Sequence, residues 1–341
     1  MKKRLILLVN VGTPDKPDVK HVGKYLLQFL NDRRVIDLPG LLQKILVNLI
    51  IVPFRVKRST ALYKELWTDK GSPLAFYLKS LVLKLQLRMK PKGDTILGVM
   101  RYGNPSLKQA LLEMKTGSFE EIIVLPLFPQ YSSSTSGSVH ELVLGELSKW
   151  DRLPKVRFVS QFYSHSSFIN TFANRIQSYH PENFDLVIFS YHGLSLSQIQ
   201  KTHPEVDQSR CNCEKQFPEH GKFCYKATCY ETTRLLVEKL KIPQEKYVTS
   251  FQSRFTRNWL APFTDEVLIS AANKGIKKIL VVAPSFVTDC LETIVEIDKT
   301  YKKLFKQNGG EELVMVESLN DSDEWVDAII EILDMDFNKC K

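Results

Sequence analysis

Four of the six cysteines lie within a stretch of nineteen residues: Cys211, Cys213, Cys224 and Cys229. Four thiolates in one short segment are a donor set for zinc or for an iron–sulfur cluster. The spacing C-x-C-x10-C-x4-C matches neither paired C-x2-C zinc sites nor plant-type ferredoxins. The segment therefore predicts a metal or cluster site without identifying the occupant. The alternatives are free thiols or two disulfides, and a reducing compartment disfavours disulfides.

A histidine, His192, follows the apolar run Phe184–Tyr191 and directly precedes Gly193. A neutral imidazole at such a position can accept a proton or bind a metal ion near physiological pH. The alternative is a histidine whose ring is satisfied by a loop carbonyl. Loops at strand ends often carry functional residues, so position alone leaves both interpretations open.

Polar residues recur at helical spacing further along the chain, at Asp289, Glu292, Glu296 and Thr300. At about 100° per residue they span roughly 80° of an α-helix, opposite an apolar face that includes Tyr301. A row of carboxylates could line a cleft and bind a divalent cation. The pattern alone favours the alternative, a solvated face with acids near the helix N-terminus.

Short apolar runs rich in Val, Ile and Leu recur along the chain, each followed by turn residues and a helical stretch. Such strands alternating with helices are typical of parallel sheets covered on both faces. Two groups of four predict an α/β fold with two Rossmann-like, doubly wound domains, each with a four-stranded parallel sheet. The predicted strands are residues 4–11, 95–100, 121–128, 156–160, 184–191, 247–252, 278–283 and 313–317.

The pattern predicts an N-terminal domain over residues 1–160 and a C-terminal domain over 161–317, with a cysteine-rich insertion at 205–230. A last helix, over 322–335 within the C-terminal stretch 318–341, begins with capping residues and could pack on the N-terminal domain. Ligands bind beyond the carboxyl ends of parallel strands, so we expect the polar loops there to form one small-molecule site.

The composition, 43% hydrophobic and 25% charged, is globular and excludes a disordered or collagen-like chain. Lys and Arg outnumber Asp and Glu by 47 to 38, and the net charge of +9 permits an anionic partner. A cysteine-rich nucleic-acid-binding protein is therefore one alternative. We expect no nucleic acid partner, because the basic residues are dispersed and the cysteine segment lacks a basic, aromatic recognition helix.

An apolar segment, here called the apolar lip, covers residues 38–58 and ends in the basic run Arg55-Val56-Lys57-Arg58. Polar residues interrupt it, so it does not span a bilayer. It suits a membrane interface or the mouth of an apolar ligand pocket, whereas a buried helix is the alternative. The apolar run near the N-terminus is too short for a secretory signal. We expect a cytoplasmic protein, with peripheral contact at the inner face of the membrane as a hypothesis.

Several longer motifs occur in an order that one enzyme family shares. They are Leu8–Pro14, Phe29–Asp37, Gly71–Leu74, Arg101–Pro105, Leu125–Ser132, Ser190–Gly193, Ser250–Phe255, Trp259-Leu260 and Asp289–Thr293. Over nearly its whole length the chain resembles the ferrochelatases, which insert ferrous iron into a porphyrin in the last step of haem synthesis.

The resemblance implies the chelatase fold, with the porphyrin held in a cleft between two Rossmann-like domains. It implies that His192 and Glu292 bind the iron and remove pyrrole protons, while Asp289 and Glu296 relay cations or protons. The implied substrate contacts are Val11, Tyr131, Gln252, Ser253, Arg254 and Trp259.

The implied substrates are ferrous iron and protoporphyrin IX. Relatives that resemble coproporphyrin users carry tyrosine where this chain has Val11, so protoporphyrin is the expected porphyrin. A chelatase for coproporphyrin or sirohydrochlorin is the alternative. Members of the family are monomers or homodimers, and both states stay open for this chain.

Animal members of the family hold a 2Fe–2S cluster partly through a cysteine that is Ser133 here. The cysteine insertion resembles instead a bacterial subgroup with an internal 2Fe–2S cluster, which implies this cofactor, with zinc as the other candidate. Cluster-free relatives keep a cysteine matching Cys229. The hypothesis therefore depends on Cys211, Cys213 and Cys224.

Overall fold

The computed structural model of the chain describes residues 3–89, 93–203, 206 and 211–334. They divide into two units, each containing one parallel sheet. The first unit holds the residues up to Phe128, Ser132–Gln161 and those from Asp321 onward, and the second holds Pro129–Tyr131 and Phe162–Asn320.

The first sheet has the strand order β2-β1-β3-β4, with all neighbours parallel. Its strands are β1 (Arg4–Thr13), β2 (Thr95–Gly103), β3 (Glu121–Pro126) and β4 (Lys155–Phe158). Leu5–Val9 of the central strand β1 have no exposed surface. This continuous apolar run is what a parallel strand covered on both faces requires.

Helices of the first unit follow β1, β2 and β3. They are α1 (Val19–Leu30), α2 (Gly40–Ile45), a π-helix at Leu46–Ile51, α3 (Val52–Leu66), α4 (Pro73–Met89), α5 (Leu107–Met114), a π-helix at Ser133–Gly137 and α6 (Ser138–Leu147).

A buried ion pair lies at the carboxyl end of the first sheet. Asp32 accepts hydrogen bonds from Arg101 Nη2 at 2.6 Å and from the Tyr102 hydroxyl at 2.8 Å. The hydroxyl of Ser138, at the start of α6, also donates to it. Only 7% of the Asp32 side chain is exposed, so this network joins β2 and α6 through a paired charge.

The second sheet repeats the same order as β6-β5-β7-β8, again entirely parallel. Its strands are β5 (Leu186–His192), β6 (Tyr247–Gln252), β7 (Lys278–Val282) and β8 (Glu312–Met315). The chain passes from β5 outward to β6 and then returns to β7. The loops after β5 and β7 therefore diverge at a switch point, where open α/β sheets bind ligands.

The helices of the second unit surround this sheet. They are α7 (Ser166–Gln177), a 3₁₀ turn at Pro181–Asn183, α8 (Leu196–Thr202), a 3₁₀ turn at Glu219–Phe223, α9 (Tyr225–Leu240), a 3₁₀ turn at Gln244–Lys246, α10 (Thr264–Asn273), a π-helix at Leu291–Tyr301 and α11 (Lys302–Gln307).

The last helix, α12 (Asp323–Asp334), belongs to the first unit and packs against α4. Arg88 of α4 forms ion pairs with Asp323 and Asp327, and Lys84 donates to the carbonyl of Asp321 at 2.6 Å. The predicted end of this helix at residue 335 lies outside the described residues.

The α/β fold with two four-stranded parallel sheets is confirmed, and only the strand ends differ from the prediction. Strand β6 matches it residue for residue, whereas β1 and β2 continue to Thr13 and Gly103. Gly12, at φ +122°, permits this: a Cβ there would lie 1.8 Å from the carbonyl oxygen of Tyr102. Strand β3 stops at Pro126, before the predicted end at 128, because apolar sequence continues past the last paired residue.

Candidate functional site

His192 is the last residue of β5 and lies opposite Gln252, the last residue of β6. Its Nδ1 lies 2.6 Å from the carbonyl oxygen of Gly193, and its own carbonyl accepts from the hydroxyl of Tyr225 at 2.8 Å. A carbonyl can only accept, so the proton is assigned to Nδ1. The loop carbonyl thus satisfies one ring nitrogen and leaves the Nε2 lone pair to accept a proton or bind a metal ion.

Aromatic side chains surround the imidazole. The ring of His192 lies 6.4 Å from that of Trp259 and 6.2 Å from that of Phe286, between centroids. Gly193 allows the chain to pass closely here, because a Cβ would lie 2.8 Å from the carbonyl oxygen of Gln252 and 3.3 Å from the Trp259 ring. The imidazole of His192 is therefore in partly apolar surroundings, which are typical of small-molecule sites.

The carboxylate of Glu296 is held by neutral donors. Oε1 accepts from the Ser253 backbone N–H at 2.9 Å and from the Tyr301 hydroxyl at 2.8 Å. Oε2 accepts from the Ser253 hydroxyl and from Nε2 of Gln252 at 3.3 Å. Among the described residues, no Lys, Arg or His forms an ion pair with Glu296 or Glu292. The negative charge is therefore oriented but not neutralised by a side chain, which suits a cation-binding group.

Glu292 lies in the first turn of the π-helix Leu291–Tyr301, and its backbone carbonyl accepts from Nε2 of Gln252 at 3.1 Å. Gln252 therefore contacts both Glu292 and Glu296 from the position paired with His192. The hydroxyl of Ser190 donates to Oε1 of Gln252 at 2.8 Å and fixes its orientation. One amide thus connects Ser190 of the histidine strand to the main chain of Glu292 and to the carboxylate of Glu296.

The prediction of an α-helix through the acidic residues is wrong, because Leu291–Tyr301 is a π-helix with i→i+5 hydrogen bonding. This winding brings the hydroxyl of Tyr301 to Glu296, five residues earlier. The α-helical period placed Tyr301 on the opposite apolar face, so the sequence analysis missed this contact. Burial, together with the charge of Glu296, raises the pKa of Tyr301 and keeps its hydroxyl a donor.

Cys290, immediately before the π-helix, is a second residue that the sequence analysis missed. Its side chain and that of Thr293 form reciprocal capping hydrogen bonds with each other's backbone N–H. Burial raises the pKa of the Cys290 thiol, and the neighbouring Glu292 carboxylate raises it further. The S–H therefore stays protonated beside Glu292.

Asp289 is not part of the acidic row on the helix. It precedes the π-helix, is 5% exposed, and accepts from Asn320 Nδ2 at 2.7 Å and Thr293 Oγ1 at 3.0 Å. The backbone N–H of Ser318 also lies 3.3 Å from its carboxylate. These contacts anchor the loop after β7. A relay role for Asp289 stays a prediction.

Three further residues were predicted to contact the substrate, and each has different neighbours in the structure. Arg254 pairs with Asp265 at 2.7 Å and Glu266 at 2.8 Å, so α10 holds its guanidinium. Val11 is a half-buried residue of β1, and the ring of Tyr131 lies 6.0 Å from that of Phe223 in an edge-to-face contact. Their contacts with a porphyrin stay predictions.

The cysteine segment forms no disulfide among the described cysteines. Cys213, Cys224 and Cys229 are buried, and Cys211 is half-buried. Burial raises the pKa of Cys213 to about 12, with Lys226 acting in the opposite sense and Cys211 adding to the rise. A bound cation would replace these thiol protons, so the donor chemistry fits a thiolate-ligated group. In the described part of the chain, no three potential ligands are already arranged around a common metal position.

The apolar lip is not a buried helix, and that alternative is wrong. Its outward side chains are largely solvent-exposed: Leu41 by 76%, Leu49 by 68% and Phe54 by 82%. No helix in the described ranges is both long and apolar enough to cross a bilayer. The lip is an exposed apolar surface with basic residues beside it.

Comparison with solved structures places this fold among known ones. SirB from Bacillus subtilis with Fe3+ matches with a TM-score of 0.54 at 12% identity, covering 97% of this chain and 96% of that chain. At this identity the likeness shows the fold alone. The two parallel sheets thus define an α/β protein with a chelatase-like fold.

Sequence comparison identifies the family. A family model described as Ferrochelatase matches residues 3–336. The chain is 40% identical to the ferrochelatase of Legionella pneumophila (strain Lens) over 343 residues, covering 98% of this chain and 100% of the relative. It is also 40% identical to the ferrochelatase of Coxiella burnetii (strain Dugway 5J108-111) over 327 residues, covering 95% and 91%. The chain belongs to the ferrochelatase family.

Proposed function

We propose that this chain inserts ferrous iron into protoporphyrin IX and so completes the synthesis of haem. Family membership makes it a metal chelatase acting on a porphyrin. The observation that carries the proposal is the arrangement at the end of the second sheet. There, the amide of Gln252, the residue paired with His192, donates to the backbone carbonyl of Glu292 and to the carboxylate of Glu296, and neither glutamate has a cationic partner among the described side chains.

The reaction releases two protons, because each of two pyrrole N–H groups must lose its hydrogen as iron enters. In the proposed mechanism, His192 Nε2 accepts a pyrrole proton and Glu292 attracts ferrous iron. Glu296, oriented by Ser253 and Tyr301, relays ferrous iron inward to Glu292 and takes up the second pyrrole proton as the iron enters. These roles as base, ligand and relay are proposed from the family resemblance, and the donor chemistry of the three side chains supports them.

The test is anaerobic incubation with ferrous iron and protoporphyrin, with the haem spectrum as the readout. His192→Ala should abolish metal insertion while porphyrin binding stays measurable. His180→Ala, which removes an exposed histidine of the same unit, is the matched control. Near-normal turnover of His192→Ala would remove this histidine from the mechanism.

The identity of the porphyrin rests on Val11, a half-buried residue near the end of β1. We propose protoporphyrin rather than the more acidic coproporphyrin, because valine offers no hydroxyl to a porphyrin carboxylate. A parallel assay of kcat/KM with protoporphyrin, coproporphyrin and sirohydrochlorin tests which of the three is the substrate. A higher kcat/KM for either of the other two would replace the assignment.

We propose peripheral membrane contact at the cytoplasmic face through the apolar lip. Exposed Phe54 and Leu49 would enter the interface while Arg55 and Lys57 meet anionic headgroups. Phe54→Ser should reduce co-flotation with vesicles containing anionic lipid. Leu87→Ser, at a leucine 74% exposed on α4, is the control. Equal flotation of both variants and the unaltered protein would contradict the proposal.

We also propose that the cysteine segment holds a 2Fe–2S cluster through its thiolates, with Cys211, Cys213, Cys224 and Cys229 as candidates. The buried, disulfide-free thiols support the proposal. The purified protein should then be red-brown and lose its visible absorption in Cys211→Ser. A colourless protein with stoichiometric zinc would replace the cluster with a structural zinc site.

A further inference from the structure

Exposed apolar side chains of the second unit occur in the connections that follow its strands. Among the described residues of this unit, the exposed large apolar side chains are Leu196, Phe217, Phe223 and Phe255. Leu196 begins α8 in the connection after β5, and Phe255 lies in the loop after β6. Open α/β sheets bind ligands beyond this end of the strands. Apolar surface left open there fits a largely apolar ligand that covers it.

Phe223 belongs to the cysteine insertion and closes the 3₁₀ turn Glu219–Phe223. Its ring lies 6.0 Å from that of Tyr131 in an edge-to-face contact, and 49% of the residue is still exposed. Tyr131 lies in the loop after β3, and β3 borders β1 at the switch point of the first sheet. Phe223 therefore adjoins a loop at which this fold binds ligands, and it keeps half of its surface open.

The start of α9 connects the same segment to the proposed base. The hydroxyl of Tyr225 donates to the carbonyl of His192 at 2.8 Å and lies 3.3 Å from the hydroxyl of Ser285 in the loop after β7. The ring of the next residue, Phe286, lies 6.2 Å from the imidazole. Through Phe223 and Tyr225, the end of the cysteine segment thus contacts the loop after β3, the end of β5 and the loop after β7.

The other exposed phenylalanine of the segment has different neighbours. The ring of Phe217 stacks on that of Tyr163, just before α7, at 6.2 Å. A Cβ at Gly221 would lie 3.0 Å from the Phe217 ring, so the segment also folds over this side chain. Phe217 therefore packs the segment together, and it is the matched control for Phe223.

We propose that Phe223 is a porphyrin contact supplied by the cysteine segment, with its exposed face against the apolar edge of the macrocycle beside Tyr131. The inference rests on the proposed function, in which a porphyrin lies at His192. Protoporphyrin carries its carboxylates on one side of a planar ring and only methyl and vinyl groups on the others. A half-exposed phenyl ring suits these apolar sides, because it offers area without a polar group. Phe223 takes part in no step of metal insertion, so it contributes to porphyrin affinity alone.

The test measures porphyrin affinity and turnover separately on the whole chain. Protoporphyrin fluorescence without iron gives Kd, and the anaerobic haem assay gives KM and kcat. Phe223→Ala should raise Kd and KM about fivefold, the factor that corresponds to exposing half of a phenyl side chain, and leave kcat unchanged. Phe223→Tyr keeps the ring and should bind protoporphyrin as the unaltered protein does. Phe217→Ala should leave Kd and KM unchanged.

Equal Kd and KM values for Phe223→Ala and Phe217→Ala would overturn the assignment. A fall in kcat with unchanged KM would also overturn it, because the ring would then only support the fold of the site. Thermal unfolding identifies a variant that has failed to fold, and Phe223→Gln, polar and of similar length, then replaces the alanine variant with the same expected rise in Kd.

The same measurements separate this inference from the proposed function. Normal haem formation with no change in Kd at position 223 would refute the contact alone. Protoporphyrin binding that weakens in Phe223→Ala, without haem formation by the unaltered protein, would support the contact and refute the iron insertion. If the unaltered protein binds no protoporphyrin, both fail.

Discussion

The two sheets share one strand order but differ in how each treats a carboxylate at its carboxyl end. In the first unit, Asp32 is paired with the guanidinium of Arg101 at 2.6 Å. In the second unit, Glu296 accepts from Ser253, Tyr301 and Gln252, all of which are neutral. The first charge is compensated within the fold, whereas the second can be compensated by a cation that enters. In the proposed mechanism, side chains therefore decide which sheet performs the chemistry, although the topology is the same.

The pKa of Asp32 supports a structural role. Burial alone would raise it, but hydrogen bonds from Ser138, the Arg34 backbone and Tyr102, together with the charge of Arg101, hold it below its usual value. The carboxylate therefore remains ionised and paired under ordinary conditions. An internal pair of this kind leaves no free charge for a ligand.

The contrast between the two sheets predicts its largest effect on turnover at Glu292. Glu292→Gln keeps the shape of the side chain but removes the charge proposed to attract iron, so we expect kcat to fall about 10³-fold. Asp298→Asn is the matched control, because Asp298 is on the same π-helix and pairs with Lys302 at 3.1 Å. Stopped-flow haem formation measures both variants. A Glu292→Gln enzyme with kcat close to that of the control would show that the unpaired carboxylate is not needed.

The opposite response is expected at Asp32. Asp32→Asn leaves Arg101 half-buried without its partner, which should lower the free energy of unfolding by about 3 kcal/mol. Turnover per folded molecule should change far less than in Glu292→Gln. Urea unfolding and the haem assay give the two quantities. Lost turnover with unchanged stability would place Asp32 among the functional groups and end the contrast between the sheets.

A histidine of the first unit should link its stability to pH. Burial, with a smaller contribution from Arg34, lowers the pKa of His140 to about 4 from an unfolded value of 6.5. The unfolded chain therefore binds the proton first as pH falls, and stability present above pH 6.5 is lost toward pH 4. After solvent screening the loss is about 2 kcal/mol. Urea unfolding at several pH values should show this slope reduced in His140→Gln. An unchanged slope would assign the titration to another group.

Sequence patterns predicted the sheets well because continuous apolar runs reflect burial on both faces. Tyr247–Gln252 was predicted to the residue, and His192 was expected at a strand end. The cysteine segment was recognised from its spacing. The contact between the rings of His203 and His220 was not predicted, because these two residues come together only through the fold.

The site was less predictable where it depends on local backbone winding. Glu292 and Glu296 were singled out from an α-helical period, whereas the helix has π geometry. Asp289 fitted that period but lies before the helix, buried against Asn320. Periodicity cannot reveal an i→i+5 contact, since the residue five positions along falls on the other face of an α-helix.

The substitution with the smallest expected effect on kcat tests the π-helical contact directly. Tyr301→Phe removes one of the neutral donors to Glu296 and leaves the buried ring in place. Loss of one hydrogen bond to a charged group, about 1.5 kcal/mol, corresponds to a fall in kcat of about tenfold. Ser253→Ala should give a similar loss, because its hydroxyl serves the same carboxylate. If the two substitutions act through Glu296, neither should lower kcat further in a Glu296→Gln background. Full additivity there would mean that the tyrosine acts elsewhere, and the π-helix would then have no demonstrated role in orienting the unpaired carboxylate.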